Sequence, residues 1–479
     1  MQLPIPTETN FAGPTRLLTM VVRGTVVLLA GGVLSFGAVY PWAFWPLAAG
    51  AQVVGIAGLW LDRKSNNGVS RAFALSLLLL AAVVITQLVP VPLSIIDQVS
   101  PETSVALRQL DPAFAIEASH LRALSIAPPD TLIALGLYGS FALLMVGTSR
   151  VLSRVSAEGL CAGLIALGVV VALVGIIQKS LYVGRIYGFW QPSMPGDVFG
   201  PFVNRNHFAG WMLLAIPLCI GLLLSRIARA LRGVAPVLRE RLLWFASADA
   251  SKSILIAAGV VVMALSLVLT MSRSGVGALA FSILLAGSFV MRKSGAVTAR
   301  FAGIAYLIVL VVVVAGGAGF QTLTKRFEHT TWKQVNERVG AWSDAVDVAK
   351  RFPLVGTGLN TYGTAMLLYQ RHDKARHYAE AHNDYLQLLA EGGALLAIPV
   401  VLCVGLFTRD VLCRFREDRG SAVYWIRAGA VIGLIAIGLQ SAVDFSLQMP
   451  ANAALFAVVC GVALHKSPSR MASSGRLPL

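Results

Sequence analysis

LCAGLIALGVVVALVGII, residues 160–177, is an unbroken run of apolar residues without a charged or amide side chain. As a helix rising about 1.5 Å per residue it would measure roughly 27 Å, close to the roughly 30 Å hydrocarbon core of a bilayer. Runs of this length recur along the whole chain and predict membrane-spanning helices. The twelve predicted spans are approximately 20–39, 42–61, 72–89, 131–148, 160–177, 208–224, 253–271, 275–291, 301–318, 388–407, 428–445 and 452–465.

The composition of the chain agrees with this interpretation. The mean hydropathy is +0.74, 56% of residues are hydrophobic and only 13% are charged. Water-soluble domains carry roughly 25% charged residues, so this chain lacks the polar surface that a soluble protein needs. The sequence therefore predicts an all-α polytopic membrane protein of about twelve transmembrane helices, with one long structured periplasmic loop.

The distribution of basic residues predicts the orientation. Lys and Arg residues concentrate in alternate connections, around Arg63, from Arg226 to Arg241 and from Arg409 to Arg427. The positive-inside rule makes these connections cytoplasmic, which places both termini inside and the protein in a bacterial inner membrane. The pI of about 10.1 then indicates contact with anionic lipid headgroups rather than with nucleic acid.

The predicted spans divide the chain into four parts. Helices 1–4 occupy residues 1–159, and helices 5–9 occupy residues 160–318. A periplasmic loop covers 319–387, and helices 10–12 with a cytoplasmic tail cover 388–479. The first run is expected to remain as a span rather than to be cleaved as a signal peptide. The five cysteines fall in spans or in a cytoplasmic loop, so neither disulfides nor a cysteine metal site is expected.

Two external segments precede the long loop. Residues 90–130 have the composition of a structural connector lying on the membrane surface. Residues 178–207 contain the aromatic stretch Tyr187-Gly188-Phe189-Trp190 and end in Asn204-Arg205-Asn206-His207 at the start of a span. Arg and His at such a boundary can extend towards lipid headgroups. The two neighbouring asparagines favour binding of sugar hydroxyls or phosphate oxygens, because amides both donate and accept hydrogen bonds.

The long loop at 319–387 has structure of its own. Residues 338–352 predict an amphipathic helix resting on the membrane, with Val339 and Trp342 on its apolar side and Asp344 away from it. The next span must begin near Tyr385 or Leu388, because residues 394–407 are too few to cross a bilayer. His382 then lies at the outer membrane boundary, whereas His372 and His377 are expected to be solvated.

Glu391 lies one to two turns inside that span, where a carboxylate is costly and is a candidate functional group. Nine residues of helix separate it from His382 and rotate it to the opposite face, so direct contact between the two is not expected. Orientation of the histidine and a purely structural role both remain open for Glu391.

Thr270-Met271-Ser272-Arg273-Ser274-Gly275 forms an external hairpin between two spans. Arg273 there must reach water or an anionic partner, and a diphosphate is a strong partner for a guanidinium. A role that only sets the depth of the turn is the structural alternative. Arginines together with a histidine at the outer boundary suit transfer of a group from a lipid diphosphate. Arginines can stabilise charge on the departing phosphates, and a neutral histidine can accept the proton of a hydroxyl.

The order of these motifs resembles the O-antigen ligase and polysaccharide polymerase superfamily. The resemblance rests on the Asn-rich motif at a span start, the Ser-Arg-x-Gly hairpin, the long outside loop, and His382-Asn383-Asp384-Tyr385-Leu386 followed by Glu391-Gly392-Gly393. It implies a metal-independent, inverting membrane glycosyltransferase without a cofactor. The implied donor is an undecaprenyl-diphosphate-linked glycan, used at the periplasmic face, and the acceptor is a glycan or glycolipid.

The resemblance also implies site residues. Arg273, Arg338 and His382 are the expected catalytic residues, although Arg326 is an alternative for the loop arginine. The expected substrate-binding residues are Asn204, Arg205, Asn206, His207, Trp342, Asn383 and Tyr385.

Several functions remain open at this point. A ligase would transfer the glycan to lipid A-core, and a polymerase would transfer it to another lipid-linked repeat unit. A transporter or flippase of lipid-linked oligosaccharide would also have many spans and basic groups. The absence of symmetry between the halves of the sequence argues against it. A scaffold protein would have no use for the histidine and arginines.

Overall fold

The computed structural model describes residues 12–63, 68–115, 121–192, 196–230, 247–293, 332–418 and 421–467. These residues are mostly helical, and β1 (Val91–Pro92) and β2 (Leu121–Arg122) form one short antiparallel pair. The helices are α1 (Ala12–Leu34), α2 (Pro41–Leu61), α3 (Arg71–Leu88), α4 (Leu93–Val99), α5 (Pro101–Leu110), α6 (Pro128–Leu152), α7 (Glu158–Leu181), α8 (Arg205–Ala230), α9 (Ala248–Leu269), α10 (Arg273–Lys293), α11 (Trp332–Arg351), α12 (Tyr362–Tyr369), α13 (Asp384–Glu417), α14 (Val423–Gln440) and α15 (Pro450–Leu464).

The predicted fold class is confirmed: the protein is an all-α polytopic membrane protein. Within the described residues, nine helices are long and apolar enough to cross a membrane, by length and composition. Two shorter apolar segments, Arg273–Leu285 and Pro450–Leu464, coincide with further predicted spans. The predicted span at 301–318 lies outside the described residues.

Helix α8 forms the centre of the bundle. Nearly every side chain from His207 to Ser225 is buried, so this helix is surrounded by protein rather than by lipid. It packs most closely on α14, where a Cβ atom on Gly429 would lie only 2.4 Å from the carbonyl oxygen of Pro217. Glycine at this crossing allows the two backbones to approach, as is common between membrane helices.

The connections between helices gather at two ends of the bundle. At one end, Lys179 at the end of α7 donates to the carbonyl of Leu269 at the end of α9. At the other end, Arg414 of α13 donates to the carbonyl of Gly68 before α3, and the buried Arg427 pairs with Asp418. We call the first the loop end, since it carries α4, α5, α11 and α12, and the second the basic end.

A small hydrophobic core at the loop end joins the segment that carries α4 and α5 to the segment that carries α11 and α12. Ala106 and Ile126 from the first segment pack with Val348, Phe352 and Tyr362 from the second. An ion pair of 2.6 Å between Arg351 Nη1 and Glu102 Oε1 links the same two segments. The described residues between 90 and 130 are therefore part of a folded layer that supports α11 and α12.

Helix α11 buries an acidic side chain. Val339 is exposed and Asp344 is buried, because the side of α11 that carries Asp344 packs on the segment at Arg371 and His372. The contact of its apolar side with the membrane stays a prediction. The Asp344 carboxylate accepts hydrogen bonds from the backbone N–H groups of Arg371 and His372 and contacts His372 Nδ1 at 2.7 Å. His372, although half-exposed, is thus held by protein and is not simply solvated.

Helix α13 begins at Asp384 but is broken at Gly393, which has φ 55° and ψ −161°. The backbone N–H groups of Ala394 and Leu395 donate to the carbonyls of Pro353 and Leu354 instead of to the preceding helical turn. The helix after the break continues to Glu417, beyond the predicted end of the span at residue 407. At about 1.5 Å per residue, residues 394–417 measure roughly 36 Å and can cross the bilayer by themselves.

Candidate active site

Two histidines face one phenylalanine in the connection between α14 and α15. The His207 ring lies 4.7 Å from the Phe445 ring, centroid to centroid, at 74°. The His382 ring lies 4.8 Å from the same ring at 77°. The structure thus brings together two histidines that are far apart in the sequence and come from two different motifs.

Each of these histidines has one ring nitrogen without a hydrogen-bond partner among the described residues. These atoms, His207 Nε2 and His382 Nδ1, are shielded from solvent. Buried polar atoms in native proteins are nearly always hydrogen-bonded, so such exceptions suit groups that bind a ligand. Two nearby oxygen atoms, Gln440 Oε1 and Asn452 Oδ1, are also shielded from solvent and have no hydrogen-bond partner among the described residues.

The backbone around His382 is held tightly. His382 adopts φ 52°, a conformation that is uncommon for residues other than glycine. Its carbonyl accepts a hydrogen bond of 3.2 Å from Trp342 Nε1 on α11. Asn383 caps α13 by accepting from the N–H groups of Tyr385 and Leu386, and it donates to the carbonyl of Ala442.

Tyr385 also anchors the start of α13, since its hydroxyl donates to the carbonyl of Gly438 on α14 at 2.7 Å. Trp342, Asn383 and Tyr385, which were predicted to bind substrate, therefore fix the main chain that carries His382. Their contacts join α11, α13 and α14 at one point, so the position of the imidazole depends on all three helices.

Arg338, on α11, also belongs to the candidate site. Its Nη2 lies 4.0 Å from Oδ2 of Asp444, a fully buried side chain next to Phe445. Burial raises the pKa of Asp444, and the Phe445 N–H, Arg338 and Asn206 oppose that shift. Burial lowers the pKa of His382 to about 4, and the positive charge of Arg338 contributes to the decrease. His382 is therefore neutral at neutral pH.

The Asn204-Arg205-Asn206-His207 motif begins α8. Asn204 Oδ1 accepts from the N–H of Asn206 at 2.8 Å and closes the first turn. Arg205 forms a 2.9 Å ion pair with Asp197 in the preceding loop. The carbonyls of Asn206 and His207 accept from side chains of the α14–α15 connection and of α15, among them Ser446 and Asn452. The motif is thus anchored to the segment that carries Phe445.

Arg273 is the first residue of α10 and is partly buried. The preceding turn is tight: Met271 has φ 57°, and Ser272 accepts a hydrogen bond from the N–H of Gly275. A Cβ atom on Gly275 would lie 2.7 Å from the Cβ of Ala209 on α8. The hairpin therefore packs against α8 one turn or less beyond His207, at the loop end.

Glu391 does not contact His382 within the described residues. Its carboxylate accepts from the N–H groups of Asn360 and Tyr362 and from the Gln387 amide. It therefore holds the segment after α11 against α13. Arg326, the alternative to Arg338, lies outside the described residues.

Several residues of this site were not predicted from the sequence. Asp444, Phe445, Gln440 and Asn452 belong to the α14–α15 connection or to the ends of its helices, and the sequence prediction extended a span over residues 428–445. The aspartate inside that apolar run was the signal that could have revealed the connection, since a charged group in a span is a candidate functional residue. The described residues hold no group of three or more His, Cys, Asp or Glu side chains arranged to bind a metal ion.

The comparison with protein families bears on the segment from the second half of α9 through α10, α11 and α12 to about the middle of α13. The family model described as O-antigen ligase matches residues 258–401. This match supports a relation of the segment to the O-antigen ligase-like superfamily. The predicted resemblance is thereby confirmed. No curated protein matches the chain in sequence.

The O-antigen ligase segment contains the three expected catalytic residues, Arg273, Arg338 and His382. His207 and Asp444 lie outside it, one before and one after. The structure assembles the histidine pair from the family segment and from helices that flank it in the sequence.

Proposed function

We propose that this protein is a metal-independent, inverting glycosyltransferase of the O-antigen ligase and polymerase type. It transfers a glycan from undecaprenyl diphosphate to a sugar hydroxyl of an acceptor, at the periplasmic face of a bacterial inner membrane. One observation carries the proposal: the neutral, partly buried His382, with its unpartnered nitrogen, lies beside Arg338 within a segment that matches O-antigen ligase.

His382 serves as the general base in this proposal. Its neutral imidazole accepts the proton of the acceptor hydroxyl while the hydroxyl oxygen bonds to the anomeric carbon. The bond from that carbon to the phosphate oxygen breaks at the same time, and its electron pair leaves with the diphosphate. Attack on the face opposite to the leaving group inverts the anomeric configuration. Arrival of the anionic diphosphate offsets the charge of Arg338 and makes His382 a stronger base.

Arg273 and Arg338 stabilise the negative charge that develops on the leaving diphosphate, and Arg205 assists them. Guanidinium groups form paired, charge-assisted hydrogen bonds to phosphate oxygens. Asn204, Asn206 and His207 border the donor site, and Trp342, Asn383 and Tyr385 hold the His382 backbone in place. The ion pair of Arg338 with Asp444 restricts this arginine before substrate binds.

The test uses the purified full-length protein in lipid nanodiscs with an undecaprenyl-diphosphate-linked glycan. Release of undecaprenyl diphosphate, together with an acceptor elongated through a glycosidic bond of inverted anomeric configuration, would support the proposal. Transfer that continues in excess EDTA would support metal independence. Supplying lipid A-core or a second lipid-linked repeat unit as the acceptor distinguishes a ligase from a polymerase. Movement of the intact donor across proteoliposome membranes without cleavage would instead identify a flippase.

Arginine variants test the assignment of the phosphate site. Arg273→Ala is expected to reduce transfer by roughly 10²–10³, the cost of removing a preorganised donor from developing charge. Arg273→Lys should also be impaired, because a single ammonium does not replace the planar guanidinium. Normal turnover of Arg273→Lys would show that this residue only sets the depth of the hairpin.

A further inference from the structure

A cluster of six aromatic side chains at the loop end is not used by the proposed reaction. The cluster, which we call the aromatic platform, is built from two segments that are distant in sequence. One segment runs from the end of α1 into the first turn of α2, and the other follows α7. Its members are Phe36, Tyr40, Trp42, Tyr187, Phe189 and Trp190.

The platform is packed ring against ring. The rings of Phe36 and Trp190 stack at 4.7 Å with an angle of 24°, and those of Tyr40 and Trp42 stack at 6.0 Å with an angle of 7°. Trp190 Nε1 donates to the Tyr40 hydroxyl at 3.3 Å, and the Tyr187 hydroxyl donates to the carbonyl of Leu34 at 2.7 Å. The indole N–H of Trp190 and the hydroxyls of Tyr40 and Tyr187 thus have partners within the protein.

Three residues in or next to the platform have uncommon backbone conformations. Phe36, Ala38 and Tyr187 all have positive φ values, of 59°, 57° and 55°. Such conformations are costly for these residues and persist where the surrounding structure enforces them, often at binding sites. Two rings nevertheless remain open to the surroundings, with Trp42 52% and Phe189 67% exposed.

The platform is connected to the candidate active site through Phe202 and Phe208. A Cβ atom on Gly37 would lie 2.8 Å from the Phe202 ring, and Phe202 packs edge-on against Phe208 at 6.0 Å. Phe208 is the neighbour of His207 in the chain. The segment that carries Tyr187, Phe189 and Trp190 is also the one that ends in the Asn204–His207 motif.

Membrane anchoring alone does not account for this construction. Tryptophans at the bilayer interface contribute to aromatic belts, and Trp45 and Trp60 on α2, which are 47% and 61% exposed, suit that role. Trp42 also lies on α2, but its ring packs on Phe36, Tyr40 and Trp190 from two connecting segments that contain residues with positive φ. Sugar rings present a face of C–H groups, which are slightly positive and complement the negative face of an aromatic ring.

We propose that the aromatic platform binds sugar rings of the glycan, with the open faces of Trp42 and Phe189 stacking on successive residues of the saccharide. This inference rests on the proposed function, which places the glycan of the donor next to His207. It adds a binding site for saccharide that is separate from the diphosphate site, with recognition by stacking and not by charge.

The experiment measures binding of soluble saccharides to the full-length protein in lipid nanodiscs. Cellohexaose, maltohexaose and chitohexaose serve as probes, and saturation-transfer NMR reports the affinity of each. At least one hexasaccharide is expected to bind. Trp42→Ala and Phe189→Ala should each weaken that binding by roughly two- to tenfold, the effect of one aromatic contact. Phe189→Leu, which keeps the apolar bulk but removes the ring, should weaken it similarly.

Trp45→Ala is the matched control, since Trp45 is a similarly exposed tryptophan one turn from Trp42 and outside the platform. It should leave saccharide binding unchanged. Absence of binding for all three hexasaccharides, or an equal loss in Trp45→Ala, would overturn the proposal. Stronger quenching of Trp42 than of Trp45 by brominated lipids would also overturn it and would assign the platform to the membrane. Because the probes carry no diphosphate, these outcomes are independent of whether glycosyl transfer is observed.

Discussion

His382 is held in a state that suits a proton acceptor. Burial disfavours the charged imidazolium, and Arg338 adds electrostatic repulsion. The main chain is fixed by the Trp342 hydrogen bond and by the cap on α13, so the side chain has few alternative positions. His207 shares the Phe445 ring but is nearly fully buried, at 6% exposure. The more accessible of the two histidines is thus the one in the O-antigen ligase segment.

Replacement of His382 by alanine should reduce single-turnover transfer by roughly 10²–10⁴, the usual contribution of a general base. Binding of the lipid-linked donor should be retained, because the phosphates are assigned to arginines. Both quantities are measured for His382→Ala and His207→Ala in nanodiscs, with His377→Ala as the control for an exposed histidine of the same loop. Normal turnover of His382→Ala, or a defect explained entirely by lost donor binding, would contradict the assignment.

The pH dependence of transfer should also report on His382 and Arg338. The free protein has a His382 pKa of about 4, so kcat/KM should stay flat from pH 8 to below pH 6 and fall only in more acidic solution. Arg338→Gln removes the nearby positive charge and makes the imidazolium less unfavourable. The pKa of His382 then rises, and the acidic decline in kcat/KM should move to higher pH.

Burial persists in Arg338→Gln, so the decline should remain below pH 6.5, the range of an unperturbed histidine. The overall rate will also drop, since Arg338 is assigned to the phosphates, and the shape of the profile is therefore the diagnostic quantity. Arg371→Gln is a suitable control because Arg371 pairs with Asp347 and is mostly exposed. An identical profile in the wild type and in Arg338→Gln would rule out the electrostatic coupling.

Among the elements, α13 shows most clearly where sequence reasoning succeeds and where it stops. The length of the apolar run predicted that the helix begins near Tyr385 or Leu388, and it begins at Asp384. Hydropathy could not reveal the break at Gly393, because the break depends on backbone groups of residues 353–358 pairing with residues 390–395. That contact is tertiary. Likewise, Glu391 is a buried carboxylate whose partners, Asn360 and Tyr362, come from a distant segment.

Gly393→Ala should destabilise the protein by about 1–3 kcal/mol or prevent its folding. The residue has φ 55° and ψ −161°, a region that is accessible essentially only to glycine. An added Cβ would also lie 2.6 Å from the carbonyl group of Leu354. Gly405→Ala in the same helix is the control, since a Cβ there meets nothing within 4 Å. Thermal unfolding in detergent compares the two, and equal midpoints would contradict the proposed break.

For the whole molecule, composition and hydropathy were sufficient to predict the fold class and most helix positions. They were not sufficient to locate Asp444 and Phe445, because these two residues end an apolar run and hydropathy extended the span over them. The burial of Asp344 was not predicted for a related reason: a helix that packs within a folded layer can bury an aspartate if hydrogen-bond donors meet it. Local patterns predict elements, whereas the site arises from contacts between them.

The loop end is predicted to face the periplasm and the basic end the cytoplasm. The arginines of the basic end, such as Arg409 and Arg414, satisfy the positive-inside rule only in this orientation. Single cysteines at the exposed positions Gln98 and Ala375 should therefore react with a membrane-impermeant maleimide in intact spheroplasts. The native Cys413, which is exposed near the basic end, should react only after permeabilisation and provides the internal control. Labelling of Cys413 in intact spheroplasts, with Gln98→Cys and Ala375→Cys protected, would reverse the orientation. It would also move His382 to the cytoplasmic side, away from a periplasmic donor.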